Sequence, residues 1–288
     1  MINRFAPWRL VVLSVVVFGC QHALLRNAAL VPEPRRLVQL DPYFRQLRTT
    51  RVDSPSGPLT MLVDTGGGAT LVVPSVAHRL GCQPAGRDVG HRMTGETVVF
   101  ARCSAPVLTA AGLRLTLPTL AVFDVNTLLP VELPDLDGVL ALDAFQGYVV
   151  TLDWPASQIR VGNEIGSHTN SVPLRIATGT NGRFFTPFVR VDGLRGPLWF
   201  LLDSGNLRGT LVARHVVEQA LLDVTDEGAI FGNRSERRVH VEPMDIILDG
   251  VFGVETLLEG PVTLDLRNLR SHSAESLDAV TRSRSSWR

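Results

Sequence analysis

Met61-Leu62-Val63-Asp64-Thr65-Gly66-Gly67-Gly68-Ala69-Thr70-Leu71-Val72-Val73 and Phe200-Leu201-Leu202-Asp203-Ser204-Gly205-Asn206-Leu207-Arg208-Gly209-Thr210-Leu211-Val212 echo one another. Each is three apolar residues, then Asp-Thr/Ser-Gly, then a short turn, then Thr-Leu-Val. Two further pairs follow in the same order. Asp137-Gly138-Val139-Leu140-Ala141-Leu142 matches Asp249-Gly250-Val251-Phe252-Gly253-Val254, and Val150-Thr151-Leu152-Asp153 matches Val262-Thr263-Leu264-Asp265. Three matched elements in one order point to an internal duplication, and such a repeat outranks local propensity in deciding a fold.

Outward from these segments the chain reads as strands. Phe188-Val189-Arg190-Val191 and Leu113-Arg114-Leu115-Thr116-Leu117 alternate apolar and polar residues, the period of a half-buried strand. Only Ser75 to Leu80, stopped by Gly81, and Ala213 to Leu222 look helical. The expected class is therefore all-β, with two related units and one short helix in each. The first unit is placed at residues 38–163 and the second at 185–270. Residues 164–184, rich in Gly, Ser, Thr and Asn, read as a linker, and 271–288, rich in Ser and Arg, as a disordered tail.

The chemistry is concentrated in the two turns. An apolar strand delivers a carboxylate to each. The following glycine admits close backbone approach, and the hydroxyl of Thr65 or Ser204 can lock the turn by hydrogen bonding. One Asp-Ser/Thr-Gly tripeptide is ordinary turn chemistry. Two copies, each behind an apolar run and each followed by a matching Asp-Gly-Val element, are not.

On these motifs the chain resembles the pepsin/retropepsin-like aspartic proteases, in a compact bacterial form that fuses two lobes in one chain. The resemblance spans roughly residues 38 to 270 and includes the apolar-apolar-Gly element at Val251-Phe252-Gly253. It implies two small β-barrel lobes related by a pseudo-twofold axis, each bringing one aspartate. Asp64 and Asp203 would be the catalytic pair, Thr65 and Ser204 their braces, and Gly66 and Gly205 would complete the turns. Two carboxyls about 3 Å apart cannot both ionise and share one proton, so the pair would activate a water against a peptide bond of a peptide or protein substrate, with no metal and no cofactor.

The repeats are unequal. Asp64 to Asp137 spans 73 positions and Asp203 to Asp249 spans 46, so the first holds 27 more. That excess includes Gly90-His91-Arg92-Met93-Thr94-Gly95-Glu96, which reads as a mobile hairpin. By the resemblance it would be the flap that only the first lobe supplies; as a plain surface hairpin it would carry no function. Ala141 stands where the resemblance expects Gly, Gly67 where retropepsins carry Ala, and no tyrosine occupies the hairpin. Asp137 and Asp249 read as turn residues, and Trp154 and Trp199 as packing residues.

At the N-terminus, Arg4 and Arg9 precede an apolar run from Leu10 to Gly19, too short for a membrane span and suited to a signal peptide over 1–19. Val17-Phe18-Gly19-Cys20 resembles a lipobox, which implies lipidation at Cys20, a tether over 20–37, and a chain anchored to a bacterial membrane and facing the periplasm. An ordinary signal peptide with a chance cysteine is the alternative. Without Cys20 two cysteines remain, Cys82 and Cys103. An even pair in an exported chain favours a disulfide over two buried thiols.

Composition excludes several classes. Basic and acidic residues number 28 each, so there is no basic excess for nucleic acid. Every basic residue is Arg, which removes lysine-dependent nucleotide and Schiff-base chemistry. A monomeric exported aspartic endopeptidase is the leading expectation. A catalytically inactive pepsin-fold lipoprotein that binds peptides or envelope partners, and an unrelated two-domain β protein, remain open. Whether the two carboxylates meet across a cleft discriminates among them.

Overall fold

The apolar runs that precede the two Asp-Thr/Ser-Gly turns form equivalent strands, Gly57–Val63 and Gly196–Leu202. Each pairs antiparallel with the strand before it, Arg48–Ser54 or Thr186–Gly193. Thr49 faces Leu62 and Val52 faces Leu59; 139 positions later Phe188 faces Leu201 and Val191 faces Leu198. Register is thus duplicated residue by residue. Each run also pairs in parallel with the Asp-Gly-Val element, Gly138 opposite Met61 and Gly250 opposite Phe200. Flanked on both sides and covered on both faces, Met61-Leu62-Val63 and Phe200-Leu201-Leu202 are buried throughout, which is why they are continuous apolar runs and do not alternate.

This computed structural model describes residues 36–164, 170–178, 184–225, 228–229, 240–267 and 278–282. They belong to one unit, Pro34–Arg288. The signal-peptide, Cys20 and tether readings fall on residues outside the described ones, apart from Arg36 and Leu37. No helix among the described residues is long and apolar enough to cross a membrane.

Among the described residues the strands form a ten-stranded sheet in the first lobe and an eleven-stranded sheet that carries the second lobe and joins the two. The join is the third repeated element. Val149–Asp153 lies antiparallel to Val262–Asp265, with Val150 opposite Leu264 and Thr151 opposite Thr263. Thr151 and Thr263 are equivalent in the repeat, so the pseudo-twofold axis passes between them, and their hydroxyl oxygens are 2.8 Å apart. The larger core runs from Val52, Leu59 and Met61 through Val150, Leu152 and Trp154 to Leu202 and Leu257. A smaller one, around Phe200, Leu211 and Val251, fills the second lobe.

Three expectations are corrected. Residues 164–184 are not simply a linker: Asn170–Ala177 is a strand paired with Thr186–Gly193. Val172, Leu174 and Ile176 alternate on one side of it, a strand signal masked by the polar residues flanking it. Within the presumed tail, Asp278–Arg282 is a strand between Asn170–Ala177 and Val262–Asp265, so that this short Ala-Val-Thr run completes the central sheet. The helix count also differs. Pro74–Arg79 serves the first lobe, while the second has Arg214–Glu218 and Val254–Leu258. The first-lobe counterpart of the latter, Leu142–Phe145, is a 3-10 turn.

Candidate active site

The duplicated strands end side by side at the axis, and the two turns lock one another. Thr65 donates its hydroxyl to the Leu202 carbonyl at 2.7 Å and accepts the Ser204 amide at 3.0 Å. Ser204 reciprocates, donating to the Val63 carbonyl at 3.0 Å and accepting the Thr65 amide at 3.0 Å. All four bonds are buried and every donor and acceptor is matched, which fixes the turns more firmly than exposed bonds would. Both hydroxyls thus bond across to the opposite lobe, where the sequence led us to expect a bond within each turn.

This lock brings Asp64 and Asp203 together, and their carboxyls hydrogen-bond to each other. Each carboxylate also accepts the amide two residues on, Gly66 to Asp64 at 2.8 Å and Gly205 to Asp203 at 2.9 Å. The opposite glycine forms the floor beneath each carboxyl. A Cβ on Gly66 would lie 2.4 Å from the Asp203 Cγ, and one on Gly205 2.7 Å from an Asp64 oxygen. Only glycine leaves room for the pair, which is the physical reason for the third residue of both motifs.

The environment separates the two acids. Burial pushes the Asp64 carboxyl above its ordinary range, while a hydrogen bond from Asp203 and main-chain N–H groups of Gly66, Gly67 and Gly205 pull it back. Burial and then the charge of Asp64 push Asp203 well above that range, only partly opposed by Gly205 and Asn206 amides. Asp203 is 7% exposed and Asp64 half-buried. The two carboxyls share one proton, and its titration belongs to the pair.

Outside the pair, Asp137 and Asp249 behave as turn residues. Their carboxylates accept the Thr60 and Trp199 amides at equivalent positions, at 2.9 and 2.8 Å. Trp154 is fully buried and donates to the Gln46 carbonyl. Trp199 lies under the Arg175 guanidinium, 3.9 Å from its ring centre.

The first-lobe hairpin consists of Pro84–His91 and Thr97–Ser104. Cys82 and Cys103 are joined at its base, with Cα atoms 5.3 Å apart. Its tip reaches the second lobe. The Ile247 amide donates to the Met93 carbonyl at 2.9 Å, and Met93 packs on the second-lobe core. Midway, the rings of Phe100 and Phe184 meet edge to face at 5.8 Å. Phe184 borders Gly68, and the Phe185 amide bonds the Gly68 carbonyl at 2.7 Å. The hairpin is thus fastened to both lobes around the paired acids.

Sequence reasoning missed two further groups. Asn206 buries its amide, donating to the Gly209 carbonyl and accepting the Arg208 amide at 3.0 Å each. It lies in the longer of the two turns, with seven positions from Asp203 to Thr210 against six from Asp64 to Thr70. That offset was the available signal. Asp143, buried behind the first turn, is bonded to Thr70. An acid at the same place in both repeats, Asp143 and Glu255, was its only trace.

No family model matches the chain, and no curated protein matches it. Among solved structures it is similar to the crystal structure of basic 7S globulin from soybean, with a TM-score of 0.52 at 10% identity over 86% of this chain and 94% of that one. At that identity the likeness carries architecture alone: the chain has an all-β, pepsin-like fold.

Proposed function

We propose that the chain is an exported aspartic endopeptidase. The observation that carries this reading is the hydrogen-bonded pair of Asp64 and Asp203, held at the pseudo-twofold by the reciprocal Thr65–Ser204 lock. A water between the carboxyls loses a proton to ionised Asp64 as its oxygen attacks the scissile carbonyl carbon, while Asp203 gives its proton to the carbonyl oxygen. Collapse of the tetrahedral diol breaks the C–N bond, one proton passing to the leaving nitrogen and the other returning to the dyad. The products are one free carboxyl and one free amine. The hairpin over the pair serves as a flap that closes on an extended peptide.

Digestion of a peptide library by wild type beside Asp64→Asn tests the reading. Cleavage by wild type alone is expected. Equal cleavage by both, or none by wild type across pH 3 to 8, refutes it and leaves a peptide-binding pepsin-fold lipoprotein.

The anchor belongs to the same proposal. Lipidation at Cys20 would hold the enzyme on the periplasm-facing surface of a bacterial membrane. Metabolic labelling with a palmitate analogue should mark wild type and spare Cys20→Ser, and equal labelling of both refutes it.

A further inference from the structure

The buried carboxyl of Asp143 lies outside the dyad, against the turn that carries Asp64. It sits just after Gly138–Leu140, the strand whose Leu140 carbonyl accepts the Asp64 amide. Its oxygens accept the Thr70 amide at 2.9 and 3.0 Å, and Oδ1 accepts the Thr70 hydroxyl at 2.5 Å. Thr70 Oγ1 in turn accepts the Ala141 amide at 3.1 Å. Thr70 closes the turn that begins at Asp64, so these bonds clamp that turn at its far end.

Arg102, in the hairpin strand Thr97–Ser104, attracts the same carboxyl. Its side chain is buried and binds Asp88 on the facing strand at 2.8 Å, together with Thr119. Its Nε is buried with no hydrogen-bond partner among the described residues. The guanidinium is thus held by a carboxylate of the facing hairpin strand and a hydroxyl of the strand Thr119–Val122. Arg102 is the charged group facing Asp143, with Asp88 beyond it; Thr70, Ala141 and Ala144 contribute only uncharged groups. Glu255, the counterpart of Asp143 in the second lobe, is exposed.

We infer that Asp143 is a positioning residue for Asp64: as a carboxylate it clamps the Asp64 turn through Thr70. Every hydrogen bond that Asp143 makes is donated to it, so a proton on this carboxyl removes an acceptor site. Burial pushes the group up to about 6, opposed by Thr70, Ala144 and Arg102, which places the change inside a working pH range. The kinetic consequence rests on the endopeptidase reading; the clamp itself does not.

The test therefore has two arms. In the first, the Thr70 amide resonance is followed by heteronuclear NMR from pH 4.5 to 8. It should titrate with a midpoint near 6 in wild type and stay flat in Asp143→Asn. In the second, kcat/KM in wild type should fall about three- to tenfold through the same midpoint as pH drops, chiefly in kcat, beyond the titration of the dyad. Asp143→Asn should lose that step, and Asp143→Glu should restore it at a shifted pH. A Thr70 resonance that does not titrate in wild type overturns the clamp, and this needs no variant to fold. A kinetic step that survives in Asp143→Asn overturns its role in positioning. A wild type that cleaves nothing defeats the endopeptidase reading while leaving the NMR arm able to decide the clamp.

Discussion

The two turns carry the same chemistry on different supports. The Asp64 turn has six residues to Thr70 and is held from behind by the side chain of Asp143. The Asp203 turn has seven residues to Thr210 and is held from within: Asn206 bonds Gly209, and the Gly253 and Val254 amides bond the Gly209 and Asn206 carbonyls. The difference explains a departure from motif. A Cβ on Gly253 would lie 2.5 Å from the Gly209 carbonyl oxygen. In the first lobe that longer loop is missing, the corresponding amide bonds the Thr70 hydroxyl, and Ala141 fits. A motif residue is thus required by what lies over it, and the same position can be free in a sister copy.

The largest effects should come from collapsing what the lobes share. Asp64→Asn and Asp203→Asn should each lower kcat by at least about three orders of magnitude, since either removes one member of the acid–base pair. Mixing the two inactive proteins should restore nothing if a monomer carries both acids; recovery in the mixture would reveal lobe exchange between chains.

The same substitutions should act oppositely on stability. Burial raises both dyad acids and Asp143, so the folded chain holds protons that the unfolded chain releases. The folded state binds more protons above the ordinary carboxylate range, and stability therefore falls as pH rises through that range, for Asp143 up to about 6. Asp203→Asn should flatten this decline. Calorimetric melts from pH 4 to 8 check it, and a variant as pH-sensitive as wild type contradicts it.

Next come differences that only one lobe has. Removing the Cys82–Cys103 bridge with a double serine substitution should cost about 3 kcal/mol at most, from the entropy of the short loop it closes. Hydrogen exchange should rise in the hairpin more than in the sheets, and non-reducing mass spectrometry of wild type should find the two peptides joined. Gly253→Ala should cost about 2–3 kcal/mol through its clash with main-chain oxygen, whereas Ala141→Gly should cost only about 0.5–1 kcal/mol. Equal costs in denaturant titrations would remove the explanation offered for Ala141.

The smallest effect lies on the axis. Thr151→Val strands the hydroxyl of Thr263 and should cost about 1 kcal/mol, with part recovered in the double Thr151→Val/Thr263→Val variant. Full additivity in that cycle would mean the two hydroxyls are not coupled.

The repeat was legible because both copies keep the groups that chemistry and close packing demand: the acids, the glycines beneath them, the bridging hydroxyls and the apolar runs. The central strands were not. Asn170–Ala177 takes its partners from Thr186–Gly193 and from Asp278–Arg282, a hundred positions away, and long-range pairing leaves little trace in local composition. The role of Asp143 was hidden for a related reason. Its hydrogen bonds come from Thr70, distant in sequence, and a lone acid after an apolar strand looks like a surface residue. The hairpin was visible as an insertion, but its grip on Ile247 is a main-chain bond that side-chain identity does not announce.

The Thr151–Thr263 contact has a consequence for symmetry. Where a twofold relates two copies of one surface, most residues meet a different residue, and only those on the axis meet themselves. In the fused chain this is the spot where the halves still face each other as identical subunits would, hydroxyl to hydroxyl. Away from it they differ: the first has 27 more positions between its motifs and a hairpin, the second a turn one position longer. A substitution on the axis meets its own counterpart, so equal changes on both sides leave that contact symmetric.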